Sequence, residues 1–218
     1  KMNTEQAQKN MIDSQIKTWN VFSTRILEAF AAVDRANFVP AEFKELAFAD
    51  CELDIGGNSK MNSPKLDARI LQAVEPKPSD RILEIGTGTG FLTALLSKLG
   101  KSVCSIEIDE IFYKKAKAVL EKQNLTNIEL ILGDGLSGYE KKAPFDVIIV
   151  SGSSPRRLSF LENQLAEGGR MFNFIDSNNV TVARLVSRHS RDSWQSENLF
   201  ETPIMPLIGL EPKPEFKF

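Results

Sequence analysis

The apolar positions of this chain follow two rhythms, one helical and one strand-like. Met11, Ile12, Ile16 and Trp19 recur every three or four residues. The pattern breaks over 20–23 and restarts with Ile26, Leu27, Phe30 and Val33, so residues 4–33 read as helix in two pieces. Residues 34–40 read as a connection, with a short helix in 36–48 after Pro40. Residues 51–64 read as irregular, with a turn at Ile55-Gly56-Gly57-Asn58. Ser63-Pro64 opens a helix over 64–74, carried by Leu66, Ile70, Leu71 and Val74 and ended by Pro76 and Pro78.

From Asp80 the rhythm alternates. Strands are predicted near 81–85, 102–107, 128–132, 145–150 and 169–175, and helices near 90–99, 110–123 and 155–166. Runs such as 103–106 and 145–150 are mostly apolar, as in strands covered on both faces. Strand alternating with helix implies an α/β fold: a Rossmann-like, mostly parallel sheet with helices on both faces and right-handed crossovers. After Gly168-Gly169, residues 179–189 and 194–201 read as two strands pairing antiparallel at one sheet edge. The end, 211–218, alternates charge and proline and reads as an extended arm or a mobile tail. The expected organisation is a core domain over 80–218 and an N-terminal extension over 1–79 that packs on it and lines one wall of its site. There is no internal repeat.

Bulk properties remove several classes of function. At 218 residues and 42% apolar content the chain is large enough for one α/β domain with a substantial core. The formal net charge is -2 and the basic pairs Lys141-Lys142 and Arg156-Arg157 are isolated, so no nucleic-acid partner is expected. Cys51 and Cys104 lack metal-ligand spacing and His189 stands alone, so neither a metal site nor a disulfide framework is expected. No apolar run reaches membrane-spanning length and no signal-peptide pattern opens the chain. The expectation is a soluble cytoplasmic protein without a membrane partner.

The stretch Arg81-Ile82-Leu83-Glu84-Ile85-Gly86-Thr87-Gly88-Thr89-Gly90 carries the chemistry. A strand ends in an acidic residue and three alternating glycines, and Leu92, Leu95, Leu96 and Leu99 follow at helical spacing. Strand, glycine turn and helix form the layout of a nucleotide-type cofactor site. The pattern is G-x-G-x-G, and Glu84 precedes it by two residues. A carboxylate there disfavours a phosphate and favours a cation, and S-adenosylmethionine carries a sulfonium and an ammonium. Glu84, Gly86, Thr87, Gly88 and Gly90 are the candidate loop contacts. Glu107, with Ile108, ends the second strand, where a carboxylate can accept both ribose hydroxyls; Asp109 reads as the cap of the next helix. Gly133-Asp134-Gly135 ends the third strand, with Asp134 placed to accept from an adenine amino group and Gly135 letting the backbone pass close. After the fourth strand, Ser151, Gly152, Ser153 and Ser154 leave room for a reacting methyl group and an acceptor, or form a plain loop and helix cap.

These motifs together resemble the protein-L-isoaspartate O-methyltransferase family. The glycine pattern alone points to the class I S-adenosylmethionine-dependent methyltransferase fold. The resemblance is sharpened by Gln15-Ile16, Phe38-Val39-Pro40, Ile55-Gly56, Pro64, Ser105-Ile106-Glu107, Ala143-Pro144-Phe145-Asp146 and Gln164-Leu165-Ala166-Glu167-Gly168-Gly169. It implies S-adenosylmethionine as donor, isoaspartyl residues of peptides or proteins as acceptor, and a monomeric cytosolic repair enzyme. The likeness breaks in the acceptor loop. Members usually carry Thr-Ile-Ser before a residue and a proline, and this chain reads Lys60-Met61-Asn62-Ser63-Pro64. Gly152, Ser153 and Ser154 stand where alanines are usual, and 174–178 replaces a proline-glycine turn.

The candidate acceptor side is therefore Ile55, Gly56, Ser59, Ser151 and Ser153, with Lys60 and Asn62 as the catalytic pair. Lys60 either points inward and holds the acceptor carboxylate or is a solvent-exposed loop lysine. Asn62 offers a hydrogen bond in place of a hydroxyl. Asp67, Arg156 and Arg157 read as helix-surface residues. A carboxylate acceptor is ionised at neutral pH and needs no strong base, so a lone histidine is compatible with the chemistry. Three readings remain open from sequence: an isoaspartyl methyltransferase with an altered acceptor loop, a related methyltransferase for another carboxylate or small molecule, and a binding or regulatory protein that keeps the fold.

Overall fold

The computed structural model describes residues 4–177 and 180–211. The N-terminal layer begins with α1 (Thr4–Met11), tightens through a π-helical turn (Ile12–Ile16) and a 3-10 turn (Lys17–Trp19), and restarts as α2 (Thr24–Ala32). The break falls at Asn20, which takes φ 61° and ends the first piece. Two 3-10 stretches, Arg35–Asn37 and Ala41–Leu46, stand where one short helix was expected.

Residues 51–64 are ordered pairing rather than irregular chain. The strands β1 (Leu53–Gly56) and β2 (Ser59–Met61) form an antiparallel hairpin. Gly56, Gly57 and Asn58 all adopt positive φ and reverse the chain within a few residues. Strands this short carry too few positions to show a period of two. The helix α3 (Pro64–Val74) follows, with proline in its first turn and Leu66, Ile70, Leu71 and Val74 buried.

The core then alternates β3 (Arg81–Ile85), α4 (Phe91–Leu99), β4 (Ser102–Glu107), α5 (Glu110–Lys122), β5 (Ile128–Leu132), β6 (Phe145–Ser154), α6 (Ser159–Glu162), β7 (Leu165–Ser177), β8 (Val180–Ser190) and β9 (Ser193–Glu201). They build one seven-stranded sheet in the order β5-β4-β3-β6-β7-β8-β9. The strands β3 to β7 pair in parallel, and β8 and β9 add antiparallel at one edge. Strand order reverses between β3 and β6, so a crevice opens beyond their carboxyl ends. Residue Asn179, expected to begin the last hairpin, and the tail from 212 lie outside the described residues.

Side chains alternate across this sheet and split the core in two. On one face Ile82, Val103, Val147, Ile149, Phe172 and Phe174 pack with α3, α4 and the N-terminal layer. On the other, Leu83, Ile85, Cys104, Ile106, Ile148 and Met171 pack with Leu158, Leu161 and Leu165. The second face has thin cover. The helix expected over 155–166 is a single turn, α6, because β6 continues to Ser154 instead of stopping at Val150. Its extra residues pair Ser153 with Phe174 and Ser154 with Ile175, after a register shift that follows Ile149. A bulge of this kind re-aims side chains at the end of a strand.

The N-terminal layer shares the main core rather than forming its own. Phe91 on α4 meets Phe30 and Phe38 edge-on at ring distances of 5.9 and 5.6 Å. The guanidinium of Arg25 donates to the carbonyls of Pro76 and Leu99, closing the same seam with two hydrogen bonds of 2.6 Å. Phe91→Ala is expected to cost about 3–5 kcal/mol without splitting the unfolding transition. Urea unfolding of the two single-tryptophan variants, Trp19→Phe and Trp194→Phe, checks this. Trp19 reports the N-terminal layer and Trp194 the far sheet edge, and coincident midpoints are expected; separated midpoints would mean two independent units.

Candidate functional site

The turn from β3 into α4 is built on three glycines at positive φ: Gly86 at 92°, Gly88 at 55° and Gly90 at 85°. Side chains rarely adopt these angles, so glycine is needed at each. The chain can therefore pass closely beneath a ligand at the reversal of strand order.

Carboxylates hold this turn from below. Glu84 and Ser105 are register partners on β3 and β4 and face the helical side of the sheet. The fully buried Glu84 carboxylate accepts from Thr93 Oγ1 at 2.6 Å and Ser105 Oγ at 2.7 Å, both through Oε2. Thr87, inside the glycine turn, is bonded to Ser105 Oγ at 2.6 Å and joins the same chain. Oε1 of Glu84 has no partner among the described residues. Burial pushes this carboxyl up to about 8, against the hydrogen bonds of Thr93 and Ser105, and the neighbouring carboxylates Asp67 and Glu107 push it in the same direction. Glu84 thus lies beneath the turn as its support. Glu107, largely buried, borders the cleft beside the turn: Oε2 accepts from the Gly88 amide at 2.8 Å and Oε1 from the Asp109 amide at 3.0 Å. Asp109 caps α5 through the amides of Ile111 and Phe112.

Beyond the strand ends lies an open cleft of about 600 Å³, lined by Ile55, Ser59, Lys60, Gly86, Gly88, Glu107 and Ile108 among others. A slot of about 300 Å³ continues from it between Ile85, Ile106, Ile108, Leu136, Leu207 and Ile208, with Asp134 and Gly135 at its rim. Gly135 fits because a Cβ there would strike Ile85 at 2.7 Å. Asp134 is exposed and accepts from the Leu136 amide. An apolar slot with one acidic acceptor suits a flat nitrogen-bearing ring. The glycine cradle, with the Glu107 carboxylate lining the cleft beside it, suits a cationic ligand, so these residues fit S-adenosylmethionine.

A second cleft of about 530 Å³ adjoins the first, lined by Glu52, Lys60, Asn62, Ser151, Pro203, Ile204 and Met205. Lys60 is half exposed and pairs with Glu52 at 3.1 Å. Asn62 donates from Nδ2 to Asp67 Oδ1 at 2.8 Å, and its carbonyl accepts from Arg35. Asp67 is not a helix-surface residue: it is buried against Arg35, with 3.9 Å between Nη1 and Oδ2. Burial raises Asp67 to about 6 against the pull of Arg35, and lowers Arg35 to about 10. Arg35 also donates to Ala47 O at 2.8 Å and stacks over Phe91. Arg157 pairs with the buried Glu162. Ser151 faces both clefts, whereas the Ser153 hydroxyl turns away to Asp176 at 2.9 Å. Gly56 shapes the hairpin turn and its amide is held by Asp54 Oδ1.

Three parts of this site escape a reading of the sequence. Arg35 and Asp67 are far apart in the chain, and neither spacing nor neighbours mark them as a buried pair. Glu52 matters only through its contact with Lys60. The segment 203–208 lies along β6, with Ser153 N donating to Met205 O and Leu207 N to Ser153 O. Its proline-apolar composition was a usable signal, since an extended apolar strip needs a surface to cover.

The family model for protein-L-isoaspartate(D-aspartate) O-methyltransferases matches residues 5–211. The protein-L-isoaspartate O-methyltransferase of Koribacter versatilis is 38% identical over 199 residues, 91% of this chain and 89% of its own. That of Anaeromyxobacter dehalogenans is 38% identical over 190 residues, 86% of this chain and 91% of its own. A solved protein-L-isoaspartate O-methyltransferase aligns with TM-score 0.81 and 26% identity over 92% of this chain, which spans 65% of that longer molecule. A Plasmodium falciparum protein solved with S-adenosyl-L-homocysteine shares the fold at TM-score 0.79 and 18% identity, covering 95% of this chain and 99% of its own.

The buried state of Glu84 has a measurable signature. Its folded-state value lies above its ordinary one of 4.5, so its stabilising contribution is complete below that value and is lost as pH rises through about 8. Asp67 acts in the same direction but only up to about 6. Between about pH 6.5 and 7.5 the wild-type chain is expected to lose up to about 1.4 kcal/mol of stability, and Glu84→Gln to flatten that slope. Urea titrations at the two pH values measure it; parallel losses in both proteins would contradict the assignment.

Proposed function

We infer that this chain, which belongs to the protein-L-isoaspartate(D-aspartate) O-methyltransferase family, methylates isoaspartyl carboxylates of peptides and proteins with S-adenosylmethionine as donor. The observation that carries this reading is the junction of the two clefts. Lys60, Ser151 and Met205 line both, so a ligand on the glycine turn and a carboxylate in the second cleft would share one wall.

On the donor side, Gly86 and Gly88 give close approach, Glu107 is suited to the ribose hydroxyls, and Asp134 to a ring amino group at the slot's rim. Ile108, with Leu136 and Leu207, supplies the apolar walls of that slot. Thr87 and Gly90 hold the shape of the turn, and Glu84 braces it from beneath through Ser105 and Thr93. The bound cofactor supplies a methyl group on a sulfonium, and its transfer to a carboxylate oxygen yields an ester and a neutral thioether with no proton moved. The residues therefore need to position and desolvate rather than to act as acid or base. Ile55 and Ser59, expected on the acceptor side, instead wall the donor cleft from the hairpin; on the acceptor side, Asn62 fixes the base of the cleft through Asp67 and Arg35. A substrate carboxylate meets a cation at Lys60. Among the described residues no helix is long and apolar enough to cross a membrane.

The deciding assay uses two peptides of the same sequence, one isoaspartyl and one normal aspartyl. Base-labile methyl incorporation is expected in the isoaspartyl peptide alone. Background signals on both, with S-adenosylhomocysteine binding demonstrated by calorimetry, would sink the repair reading while leaving a methyltransferase for another acceptor.

A further inference from the structure

Most polar groups that face the acceptor cleft are already committed. The side-chain amide of Asn62 donates to Asp67, so it positions the loop and has little left to offer a substrate. Two groups differ. The Lys60 ammonium is held by Glu52 at 3.1 Å, with both side chains partly open to solvent, and an ion pair of that kind is weak and exchangeable. The Ser151 hydroxyl is buried and has no partner among the described residues. A buried hydroxyl left unpaired is costly and favours any ligand that can accept from it. Lys60 and Ser151 also share the wall between the donor and acceptor clefts.

Resting on the reading that this chain methylates isoaspartyl carboxylates, we propose that the acceptor carboxylate displaces Glu52 from Lys60 and is held at two points, by the Lys60 ammonium and the Ser151 hydroxyl. Glu52 is then an internal competitor: a carboxylate that neutralises Lys60 until the acceptor arrives. The arrangement selects for charge. A carboxylate exchanges one anion for another at Lys60, whereas an amide in its place would strip Lys60 of its counter-ion and return none. Lys60 and Ser151 therefore replace the two hydroxyls usual in this loop, one by charge and the other from across the cleft. Met205 lines the same junction with a partly exposed apolar side chain.

Steady-state kinetics with the isoaspartyl peptide, at saturating S-adenosylmethionine, separate these roles. Lys60→Met and Ser151→Ala are each expected to raise KM about tenfold, and Lys60→Arg to recover most of the loss. Glu52→Gln is expected to lower KM severalfold, because the competitor is gone. Calorimetry with S-adenosylhomocysteine should give donor affinities within about twofold of wild type for all four variants. A KM unchanged in Lys60→Met and Ser151→Ala, or raised in Glu52→Gln, overturns the proposal while wild-type turnover upholds the repair activity. No wild-type turnover, with the cofactor bound, overturns both.

Discussion

Two carboxylates on neighbouring strands of one sheet face, Glu84 on β3 and Glu107 on β4, set the geometry from which the rest of this site follows. Glu84 is sealed beneath the glycine turn and holds it through Ser105 and Thr87. Glu107 pins the turn from the next strand through the Gly88 amide. Such bonds leave the turn little freedom, and the positive φ angles they fix at Gly86 and Gly88 are ones that side chains resist. Two buried acids side by side also leave the interior rich in negative charge. Part of that charge is discharged by protonation at Glu84, and the rest makes the turn a seat for a cation rather than a phosphate.

The acceptor side depends on a second buried arrangement of the opposite kind. Arg35 and Asp67 form an ion pair inside the protein, and Arg35 spends its other donors on the carbonyls of Ala47 and Asn62. Breaking such a pair leaves a buried charge uncompensated, which costs several kcal/mol, about 3–5. The pair therefore works as a clamp: it locks the loop carrying Lys60 and Asn62 to α3 and to Phe91 on α4. Donor and acceptor surfaces are fixed to the same helix by different contacts. Across the gap, the segment 203–208 lies on β6 and completes both clefts, and Gly152 permits this because a Cβ there would strike Leu207 at 2.7 Å.

Local signals account for what could be read along the chain. The helix over 64–74 and the strands over 81–85, 102–107 and 128–132 fall where expected because periodicity, proline and glycine act within a few residues. The glycine turn and the acids at the strand ends were legible for the same reason. Misreadings arise where pairing over distance decides. The stretch 51–64 forms a hairpin only because β1 meets β2, and Ser151 to Ser154 extend β6 only because β7 and the segment 203–208 pair with them. Asp67 looks like any polar residue in the first turn of a helix until Arg35 is brought against it by the fold. Ser153 follows Ser151 by two residues and looks equivalent to it in sequence, yet the bulge after Ile149 turns its hydroxyl toward Asp176.

Backbone amide NMR shifts, followed as S-adenosylhomocysteine and then the isoaspartyl peptide are added, test most directly whether donor and acceptor occupy separate clefts that meet at Ser151. The first addition is expected to move Gly86, Gly88, Ile108 and Gly135 and to leave Glu52 and Asn62 in place. The second is expected to move Glu52, Lys60, Ser151 and Met205. A first addition that shifts Glu52 and Asn62 but not Gly88, or that acts at the opposite sheet end around Ser102 and Asn127, would contradict the account.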